Sequence, residues 1–343
     1  MELLIFAYDT CIMTYLWLFI YVLFTVCVYK LFRWILTLPR IGSTSDRYVL
    51  ITGCDYGFGN LLAKKLDKMG CRVFASCLRK DSADKLNEET SDRVTTLEMD
   101  VSSPQSIRRA LGLIQYWLPK GKGLWSIVNN AGILGRPGFI DWLNVEDYKH
   151  VADVNLFGLI DVTNVFLPLV KKERGRVILM SSFLGRLSLP CSTPYAVTKY
   201  GVEAFADGLR FSMAPFGVSV HVLEPGFHKT NIGDTSVIKS NIKDSWERCS
   251  DDIRKQYGDS FIDKMTKVLD GPGALLVAHP KHVVNAYKHA IFGLFPKTRY
   301  VVGLDANILG VPLPYLPGAI SDMLLTLFIP QPNCIISMVN STH

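Results

Sequence analysis

Short apolar runs alternate with amphipathic segments along most of this 343-residue chain, and this alternation restricts the folds open to it. Strands that alternate with helical patterns form parallel sheets whose two faces are both covered. We therefore predict an α/β fold with a doubly wound parallel sheet in a single domain, residues 47–305. The predicted strands are 48–52, 72–76, 94–99, 126–129, 176–180 and 218–223, and the main predicted helices are 59–69, 106–118, 145–170 and 195–214.

Residues 227–280 break this alternation because they are charged, helix-prone and interrupted by Gly271-Pro272-Gly273. We predict an insertion that covers the carboxyl edge of the sheet, where open α/β sheets bind ligands. The following extension, 306–343, is apolar but contains three spaced prolines (312, 314 and 317), which argue against a second membrane span. We interpret it as a membrane-lying or substrate-channel segment. Ordinary core packing or a dimer contact is the alternative.

The amino terminus carries twenty consecutive uncharged residues, 10–29. A helix of that length is about 30 Å long, enough to cross the hydrocarbon core of a bilayer. A cleaved signal peptide has a shorter apolar run and a small-residue cleavage site, whereas Lys30-Leu31-Phe32-Arg33 follows here. We predict a single-pass membrane anchor at 1–38 and a polar linker at 39–46. Because basic residues follow the apolar run, the positive-inside tendency predicts a cytosolic main domain.

Charge and cysteine content exclude other classes of function. The net charge of +6 is modest and the Lys and Arg residues are scattered, so we predict no nucleic-acid partner. The eight cysteines show neither paired spacing nor a Cys-x-x-Cys step. They are interpreted as reduced and mostly buried, without a disulfide framework or a metal site.

A glycine-rich turn directly follows the first predicted strand and precedes a helix, with the sequence Gly53-Cys54-Asp55-Tyr56-Gly57-Phe58-Gly59. Glycines let the backbone approach a pyrophosphate, which the amino terminus of the next helix stabilises. The turn therefore predicts a dinucleotide site. A tight turn without a binding role is the alternative.

Tyr195 and Lys199 lie four residues apart in a predicted helix and therefore share one face. A free tyrosine has a pKa of about 10, and a neighbouring cation favours its phenolate and lowers that pKa. The pair therefore suits proton transfer. Such pairs also occur on solvated helices, so the pair alone does not decide its role.

The glycine turn, the segment Asn129-Asn130-Ala131-Gly132 and the Tyr195/Lys199 step together resemble the short-chain dehydrogenase/reductase family, over roughly residues 46–305. Within that family the chain looks like the membrane-associated branch of retinol dehydrogenases, oxidative hydroxysteroid dehydrogenases and 3-hydroxybutyrate dehydrogenase. Tyr200-Gly201-Val202-Glu203-Ala204-Phe205 is one pointer to this branch. The resemblance implies a Rossmann-like enzyme, in the endoplasmic reticulum membrane for this branch.

The resemblance also assigns catalytic roles. It implies that Tyr195 is the general acid/base, that Lys199 lowers the pKa of Tyr195 and binds the nicotinamide ribose, and that Ser182 holds the substrate oxygen. Ser181 is the alternative to Ser182. Asn155, inside the long helix that begins near residue 145, would hold a water that links Lys199 to solvent, or would merely cap a local bend.

Further residues are implied to bind the cofactor. Asp100, beside the Val101 backbone, would accept a hydrogen bond from the adenine amino group, with a helix cap as the alternative role for Asp100. Pro225, Gly226 and Thr230 match the turn that contacts nicotinamide. The remaining implied cofactor residues shape the backbone or surround the dinucleotide: Gly53, Asp55, Tyr56, Gly57, Phe58, Gly59, Cys77, Asn130, Ala131 and Gly132.

The end of the second predicted strand discriminates NAD from NADP in such folds, because an acidic residue there binds the ribose 2′-hydroxyl and repels a 2′-phosphate. Counting from Gly53, this position is Cys77, which is neither acidic nor basic. Asp55 adds negative charge nearby, and Arg79 comes slightly late. We therefore expect NAD rather than NADP.

The leading hypothesis is a membrane-anchored, NAD-dependent dehydrogenase that interconverts an alcohol and its carbonyl on a lipophilic substrate, a retinol or a hydroxysteroid. The alternative is a dehydrogenase of small 3-hydroxy acids, for which Lys229 or His228 would supply a cation. The segment before Tyr195 favours this alternative. Relatives in the retinol and steroid branch often have a glycine-rich run there, whereas Pro190-Cys191-Ser192-Thr193-Pro194 resembles the hydroxybutyrate enzyme more. A non-catalytic dinucleotide sensor is disfavoured because Asn155, Ser182, Tyr195 and Lys199 are all retained. The resemblance also implies a homodimer through the helices that carry Asn155 and Tyr195.

Overall fold

Seven strands form the centre of the computed structural model, which describes residues 2–229, 235–258, 260–271, 277–327, 329–330 and 332, with the backbone alone for 2–12. The strands are β1 (Tyr48–Ile51), β2 (Arg72–Cys77), β3 (Val94–Glu98), β4 (Ser126–Asn129), β5 (Arg176–Met180), β6 (Ser219–Pro225) and β7 (Arg299–Val302). All six neighbouring pairs are parallel, in the order β3-β2-β1-β4-β5-β6-β7.

Helices connect and cover these strands. They are α1 (Glu2–Ile35), α2 (Gly57–Asp67), α3 (Lys80–Glu88), α4 (Pro104–Trp117), α5 (Val145–Ala152), α6 (Leu159–Glu173), α7 (Thr193–Met213), α8 (Thr235–Glu247), α9 (Asp251–Tyr257), α10 (Phe261–Val268), α11 (Lys281–Phe292) and α12 (Gly318–Thr326).

The sheet buries both of its faces. Side chains alternate along a strand. Leu50 accordingly joins the core beneath α4, α6 and α7, whereas its neighbours Val49 and Ile51 join the core beneath α2 and α11. This arrangement confirms the predicted doubly wound α/β fold.

All six predicted strands are present, and four elements, β7, α3, α11 and α12, were not predicted from the sequence. β7 has only four residues and lies at the sheet edge, so its apolar pattern is short. α3 is polar, and its buried residues are only Ser82, Ala83 and Leu86. α11 and α12 were the other two elements missed. The predicted helix 145–170 is instead α5 and α6, joined by a π-helical turn at Asp153–Gly158.

Residues 235–268, within the predicted insertion, form α8, α9 and α10. An aromatic cluster joins these helices to the turn before α5. The ring centroids lie 5.0 Å apart for Phe139 and Trp142, 5.2 Å for Trp142 and Trp246, and 4.8 Å for Tyr257 and Phe261. Aromatic pairs at these separations stabilise packing beyond the area they bury. The cluster therefore fixes these three helices against the domain.

The amino-terminal helix is a candidate membrane anchor. Met13–Ile35 within α1 is long and apolar enough to span a bilayer, and none of its apolar window is buried in the protein. Val145–Glu173 passes the same test of length and composition, but it is part of the domain core. After α1 the chain is held to the end of α11, because the Ile41 amide donates to the Phe292 carbonyl at 2.9 Å and the Leu294 amide to the Pro39 carbonyl at 2.9 Å.

His221 gives the fold a predicted pH dependence. Its side chain is buried in β6, with Nδ1 2.7 Å from the Lys297 carbonyl and Nε2 2.8 Å from the Ser219 hydroxyl. Burial lowers the pKa of His221 to about 4, against an ordinary value near 6.5. Because the unfolded chain then binds a proton more readily, the stability that His221 contributes is present above pH 6.5 and is lost as the pH falls toward 4.

We therefore expect the free energy of unfolding to fall between pH 7 and pH 5 by about 2 kcal/mol more in the wild-type protein than in His221→Gln. Urea unfolding of both proteins in detergent micelles at the two pH values measures this difference. Equal pH dependence in the two proteins would contradict the prediction.

Candidate active site

A cavity of about 360 Å³ lies at the carboxyl ends of the strands, where the order of the sheet reverses between β1 and β4. Open α/β sheets bind ligands at this position. Asn155, Gly59 and Cys77 do not line the cavity, and Thr230 lies outside the described residues. The sequence-predicted residues that do line it are Gly53, Asp55, Tyr56, Gly57, Phe58, Asp100, Val101, Asn130, Ala131, Gly132, Ser182, Tyr195, Lys199, Pro225 and Gly226.

The turn after β1 requires its glycines for different reasons. Gly53 has φ of 69°, and a Cβ atom there would lie 2.7 Å from Ala131 Cα. Gly57 has φ of 66°, but a Cβ there would meet nothing within 4 Å, so this part of the turn is open. At Gly59 a Cβ would lie 2.4 Å from the Gly53 carbonyl oxygen. Gly59 thus lets α2 pack against the turn instead of lining the cavity.

The first turn of α2 faces the same cavity. Tyr56 occupies the N-cap position, and its side chain makes no capping hydrogen bond. The first backbone N–H groups of a helix lack partners within the helix and carry partial positive charge, which suits an anion. This helix end therefore suits an anion, and the binding of a pyrophosphate there stays a prediction.

A hydrogen-bond network joins the turns after β1 and β4. Thr52 Oγ1 accepts from the amides of Asn130 at 3.1 Å and Ala131 at 3.0 Å. The Asn130 side chain in turn donates to the carbonyls of Thr52 and Gly53, both at 3.0 Å. Asn130 therefore shapes the backbone, and Thr52 is a structural partner that was not predicted. The sequence feature that could have identified Thr52 is its position directly after the first apolar strand.

Lys199 is almost completely buried beside Tyr195. Its Nζ donates to the Met180 carbonyl at 2.8 Å and lies 5.3 Å from the centroid of the Tyr195 ring. Burial lowers the pKa of Lys199 to about 8, and the nearby carboxylate of Glu203 opposes this effect. The charged form of Lys199 therefore predominates at neutral pH.

The pKa of Tyr195 is raised, whereas the sequence led us to expect that Lys199 would lower it. Burial raises the pKa of Tyr195 to about 12, and the hydrogen bond with the Ser182 hydroxyl opposes this rise. Desolvation of the phenolate thus dominates in the protein alone. The sequence could not show this balance, because it depends on how deeply the fold buries the ring.

The structure distinguishes Ser182 from Ser181. Ser182 interacts with Tyr195, accepts from the Leu184 amide at 3.2 Å and donates to the Pro225 carbonyl at 3.4 Å. The Ser181 hydroxyl instead donates to the Lys199 carbonyl at 3.4 Å. Ser182 is therefore the serine that meets the phenol of Tyr195.

Asn155 lies in the π-helical turn between α5 and α6, a type of bulge that is frequent at functional sites. Its Oδ1 accepts from the Ile133 amide at 2.8 Å, and its Nδ2 donates to the Ile133 carbonyl at 2.8 Å and to Thr198 Oγ1 at 3.2 Å. The side chain thus fixes the backbone that follows Gly132. Its donors and Oδ1 are all used within the protein, and the side chain is fully buried, so a role in holding a water stays a prediction.

The adenosine end of the predicted site has one feature that the sequence did not reveal. The Asp55 carboxylate accepts from the amides of Leu78 at 2.9 Å and Arg79 at 3.1 Å. The side chain of Cys77 is fully buried in the core, and Leu78 and Arg79 line the cavity beside it. Discrimination between cofactors therefore cannot rest on the Cys77 side chain.

Asp100 lies two residues beyond the end of β3. Its carboxylate accepts from the Ser102 amide at 2.9 Å and the Ser102 hydroxyl at 2.7 Å. Asp100 also lines the cavity, as does its neighbour Val101. The local turn and a contact with adenine are therefore compatible roles, because only one oxygen of the carboxylate makes the turn.

The turn after β6 rests on a buried carboxylate that was not predicted. Asp305 accepts from the Phe227 amide at 2.5 Å. A Cβ at Gly226 would lie 2.1 Å from Asp305 Oδ1, so glycine is required there for close approach. Asp305 follows the last strand and is 78 residues from Phe227 along the chain, so no sequence pattern connects the two.

Comparison with known proteins identifies the family. The model described as short chain dehydrogenase matches residues 47–240, which is more than half of the 343 residues. The chain belongs to the short-chain dehydrogenase family. Membership makes this short-chain dehydrogenase an NAD(P)-dependent oxidoreductase.

Named relatives are similar over most of the chain. The protein named dehydrogenase/reductase SDR family member 9 from Bos taurus is 44% identical over 286 residues, 83% of this chain and 89% of the relative. Retinol dehydrogenase 16 from Rattus norvegicus is 39% identical over 315 residues, 92% and 99% of the two chains. The protein named 17-beta-hydroxysteroid dehydrogenase type 6 from Rattus norvegicus is 40% identical over 307 residues, 90% and 96% of the two chains.

The fold of this short-chain dehydrogenase also matches solved structures. A short chain dehydrogenase from Burkholderia cenocepacia in complex with NADP superposes with a TM-score of 0.63 at 21% identity, over 82% of this chain and 98% of that one. At this identity the likeness concerns the fold, and it agrees with the predicted Rossmann-like sheet.

Proposed function

We propose that this short-chain dehydrogenase oxidises the hydroxyl group of a lipophilic alcohol, a retinol or a hydroxysteroid, with NAD as the cofactor. The observation that carries the proposal is the convergence of Tyr195, Ser182 and Lys199 on one cavity that also holds the glycine turn. Relatives named retinol dehydrogenase and hydroxysteroid dehydrogenase support the substrate class.

The dinucleotide fits the residues of the cavity. The glycine turn and the first N–H groups of α2 would hold the diphosphate, Asp100 the adenine, Lys199 the nicotinamide ribose, and Pro225 with Gly226 the nicotinamide. When bound, the oxidised nicotinamide supplies a hydride acceptor and a positive charge.

Tyr195 would take the proton of the substrate hydroxyl, and Ser182 would hold the substrate oxygen. Burial holds the pKa of Tyr195 at about 12, so proton transfer needs a further influence that stabilises the phenolate. Positive charge beside the phenol provides it. The Lys199 ammonium and the positive charge of the oxidised cofactor would both stabilise the phenolate in this way. Tyr195 would then act as a base only when the oxidised cofactor is bound.

Apolar side chains line the remaining wall of the cavity. They come from four different segments: Ile133, Leu134, Phe183, Leu184, Phe227 and Ile238. Such a wall suits an isoprenoid chain or a steroid ring system, because burial of apolar surface drives its binding.

A small hydroxy acid would instead need a cation for its carboxylate. His228 lines the cavity, but burial lowers its pKa, so its neutral form is favoured. Lys229 does not line the cavity. The described wall thus favours the lipophilic substrate over the hydroxy acid.

Asp55 would give the site its preference for NAD. Its carboxylate is held at the amides of Leu78 and Arg79, next to the predicted ribose position, where it would repel a 2′-phosphate. We expect Asp55→Asn to raise kcat/KM for NADP relative to NAD by about tenfold, since removal of one repulsion of about 1.4 kcal/mol has that effect. Steady-state kinetics with both cofactors measures the ratio.

Asp84→Asn, an exposed site on α3, is the control for that change. An unchanged cofactor ratio in Asp55→Asn would show that the carboxylate only supports the loop.

The apolar segments support a membrane-bound enzyme. In α12, Leu324 and Leu325 pack against the cluster that contains Phe183 and Leu184, while Ile320, Met323 and Leu327 nearby are exposed. This arrangement supports the proposal that the 306–343 extension meets the bilayer close to the substrate wall. α1 would provide the single span, with the endoplasmic reticulum as the membrane.

Orientation in the membrane has a direct test. A cytosolic domain is expected to be digested by protease added to intact microsomes, whereas a protected domain would overturn the proposed topology. Asn340-Ser341-Thr342, which lies outside the described residues, provides a second measurement because this sequon is glycosylated only in the lumen.

A homodimer through the helices that carry Asn155 and Tyr195 is also proposed. Large apolar side chains are exposed on α7 and on the π-helical turn beside it: Phe157, Val197, Tyr200 and Phe211. Exposed apolar patches of this kind mark interaction sites. Sedimentation in detergent of the wild type and of Phe211→Glu tests this surface.

The decisive experiment is a substrate panel. Purified full-length protein in mixed micelles is assayed with NAD and with NADP against all-trans-retinol, 3- and 17-hydroxysteroids and 3-hydroxybutyrate, by following NAD(P)H absorbance. We expect turnover of a retinoid or a steroid with NAD. Turnover of 3-hydroxybutyrate alone would overturn the proposed substrate class.

A further inference from the structure

A partly buried network of ion pairs, centred on the fully buried Glu224, joins four segments beside the catalytic residues. It contains Arg186 from the turn after β5, Glu203 from α7, Glu224 from β6 and Arg299 from β7. Asp207 and Arg210 extend it, so three carboxylates face three guanidinium groups. The network is thus balanced in charge, and none of its members has a role in the proposed proton transfer.

Arg186 connects the two turns on either side of the reacting atoms. It follows Ser182 by four residues, and its Nε and one Nη donate to the two Glu224 oxygens at 2.8 and 2.9 Å. Glu224 is fully buried and directly precedes Pro225. A bidentate pair fixes direction as well as distance. Arg186 therefore sets the position of the Ser182 turn relative to the predicted nicotinamide turn.

Glu203 connects the same network to Lys199. It lies four residues after Lys199 on α7, and its Oε2 accepts from Arg299 Nε at 3.0 Å. Its Oε1 is buried without a hydrogen-bond partner among the described residues. A Cβ at Gly185 would lie 3.1 Å from Glu203 Cγ, so the carboxylate side chain passes directly against the turn that follows Ser182.

The charge of Glu203 opposes the effect of burial on the pKa of Lys199. The titratable and charged groups around Lys199 come from every neighbouring element: Tyr195 and Glu203 from α7, Arg186 from the turn after β5, Glu224 from β6, Arg299 from β7, and His228 from the loop that lines the cavity. Among these groups, the Glu203 carboxylate raises the pKa of Lys199 by favouring its charged form.

We propose that Arg186 and Glu203 are positioning residues of the active site: Arg186 fixes the Ser182 turn against the Pro225 turn, and Glu203 keeps the Lys199 amine in its charged form. The inference rests on the proposed dehydrogenase function. It goes beyond that function because neither residue lines the cavity and each would act through another residue.

Glu203→Gln tests the electrostatic part, because glutamine keeps an acceptor for Arg299 but removes the charge. Without the carboxylate, Lys199 is expected to lose its proton at lower pH. The alkaline limb of the kcat profile should then move down by about one pH unit, a shift typical of the loss of one neighbouring opposite charge. A purely structural role would lower kcat without moving this limb.

Arg186→Lys tests the geometric part, because it keeps the charge and removes the two-pronged contact. We expect kcat to fall about tenfold, because small misplacements of reacting groups are costly. The KM for NAD should change less than about threefold, since the adenosine end is held by other segments. Arg254→Lys and Glu146→Gln, in exposed pairs with Asp251 and Lys149, are the matched controls.

The outcomes separate this inference from the proposed function. If the wild type oxidises alcohols but Glu203→Gln keeps the wild-type pH limb and Arg186→Lys keeps the wild-type kcat, the positioning proposal is overturned and the function is retained. If the wild type oxidises no alcohol, the proposed function fails. The pH dependence of NADH binding, measured by fluorescence, then still tests Glu203. If Glu203→Gln loses affinity for NADH at a lower pH than the wild type does, the role of Glu203 is supported. Identical pH curves for the two proteins refute it.

Discussion

Tyr195→Phe is expected to lower kcat for alcohol oxidation by about 10³-fold, within the range that loss of a general base produces. The substitution removes one oxygen atom and leaves the ring in place. The phenol is the group in the cavity that meets Ser182 and lies beside the Lys199 amine. Without it, the proposed geometry has lost the group that takes the proton of the substrate hydroxyl.

Binding of NADH should survive this change, because Lys199 and the glycine turn remain. Fluorescence titration with NADH and single-turnover kinetics separate the two effects. Tyr116→Phe is the matched control, because the Tyr116 side chain is 85% exposed and lies outside the cavity. Unchanged turnover in Tyr195→Phe would refute the assigned mechanism.

Gly53→Ala is expected to destabilise the protein by about 3 kcal/mol and to remove most of its affinity for NADH. The new Cβ would lie 2.7 Å from Ala131 Cα, which is backbone and cannot move aside as a flexible side chain could. The residue would also have to keep φ of 69°, a left-handed conformation that costs an alanine roughly 1 kcal/mol. Overpacking adds about 1–3 kcal/mol.

Gly70→Ala separates the two causes. Gly70 has φ of 80°, but a Cβ there would meet nothing within 4 Å, so this variant carries the cost of the conformation without the clash. We expect it to lose about 1 kcal/mol and to bind NADH as the wild type does. Urea unfolding and NADH titration of both variants check the prediction. Equal losses in the two would mean that the close approach to Ala131 is unimportant.

Local periodicity accounts for the part of the fold that was predicted. Each of the six predicted strands is a short apolar run whose burial follows from its own sequence, and the i, i+4 step of Tyr195 and Lys199 follows from helical geometry. The turn between β1 and α2 is equally local, since Gly53 and Gly57 need positive φ whatever surrounds them. β7 and α3 were missed because their own patterns are short or polar.

The details of the site depend on contacts between residues far apart in the chain. Asn155 is held by Ile133, 22 residues away, and the Cys77 side chain is buried because α2 and α11 cover its face of β2. The pKa of Tyr195 was predicted to be lowered by its neighbour, yet burial raises it. Desolvation is a property of the whole surrounding volume, so no spacing of residues encodes it.

The sequence by itself determined the alternation of strands and helices, the glycine turn and the Tyr195/Lys199 step, because each depends on backbone geometry within a few residues. Only the tertiary structure decided that Ser182 and not Ser181 meets Tyr195, that Asp305 supports the Pro225 turn, and that Arg186 reaches Glu224. The physical reason is that strand ends distant in sequence meet at one edge of the sheet. Burial there gives charges and hydrogen bonds their strength.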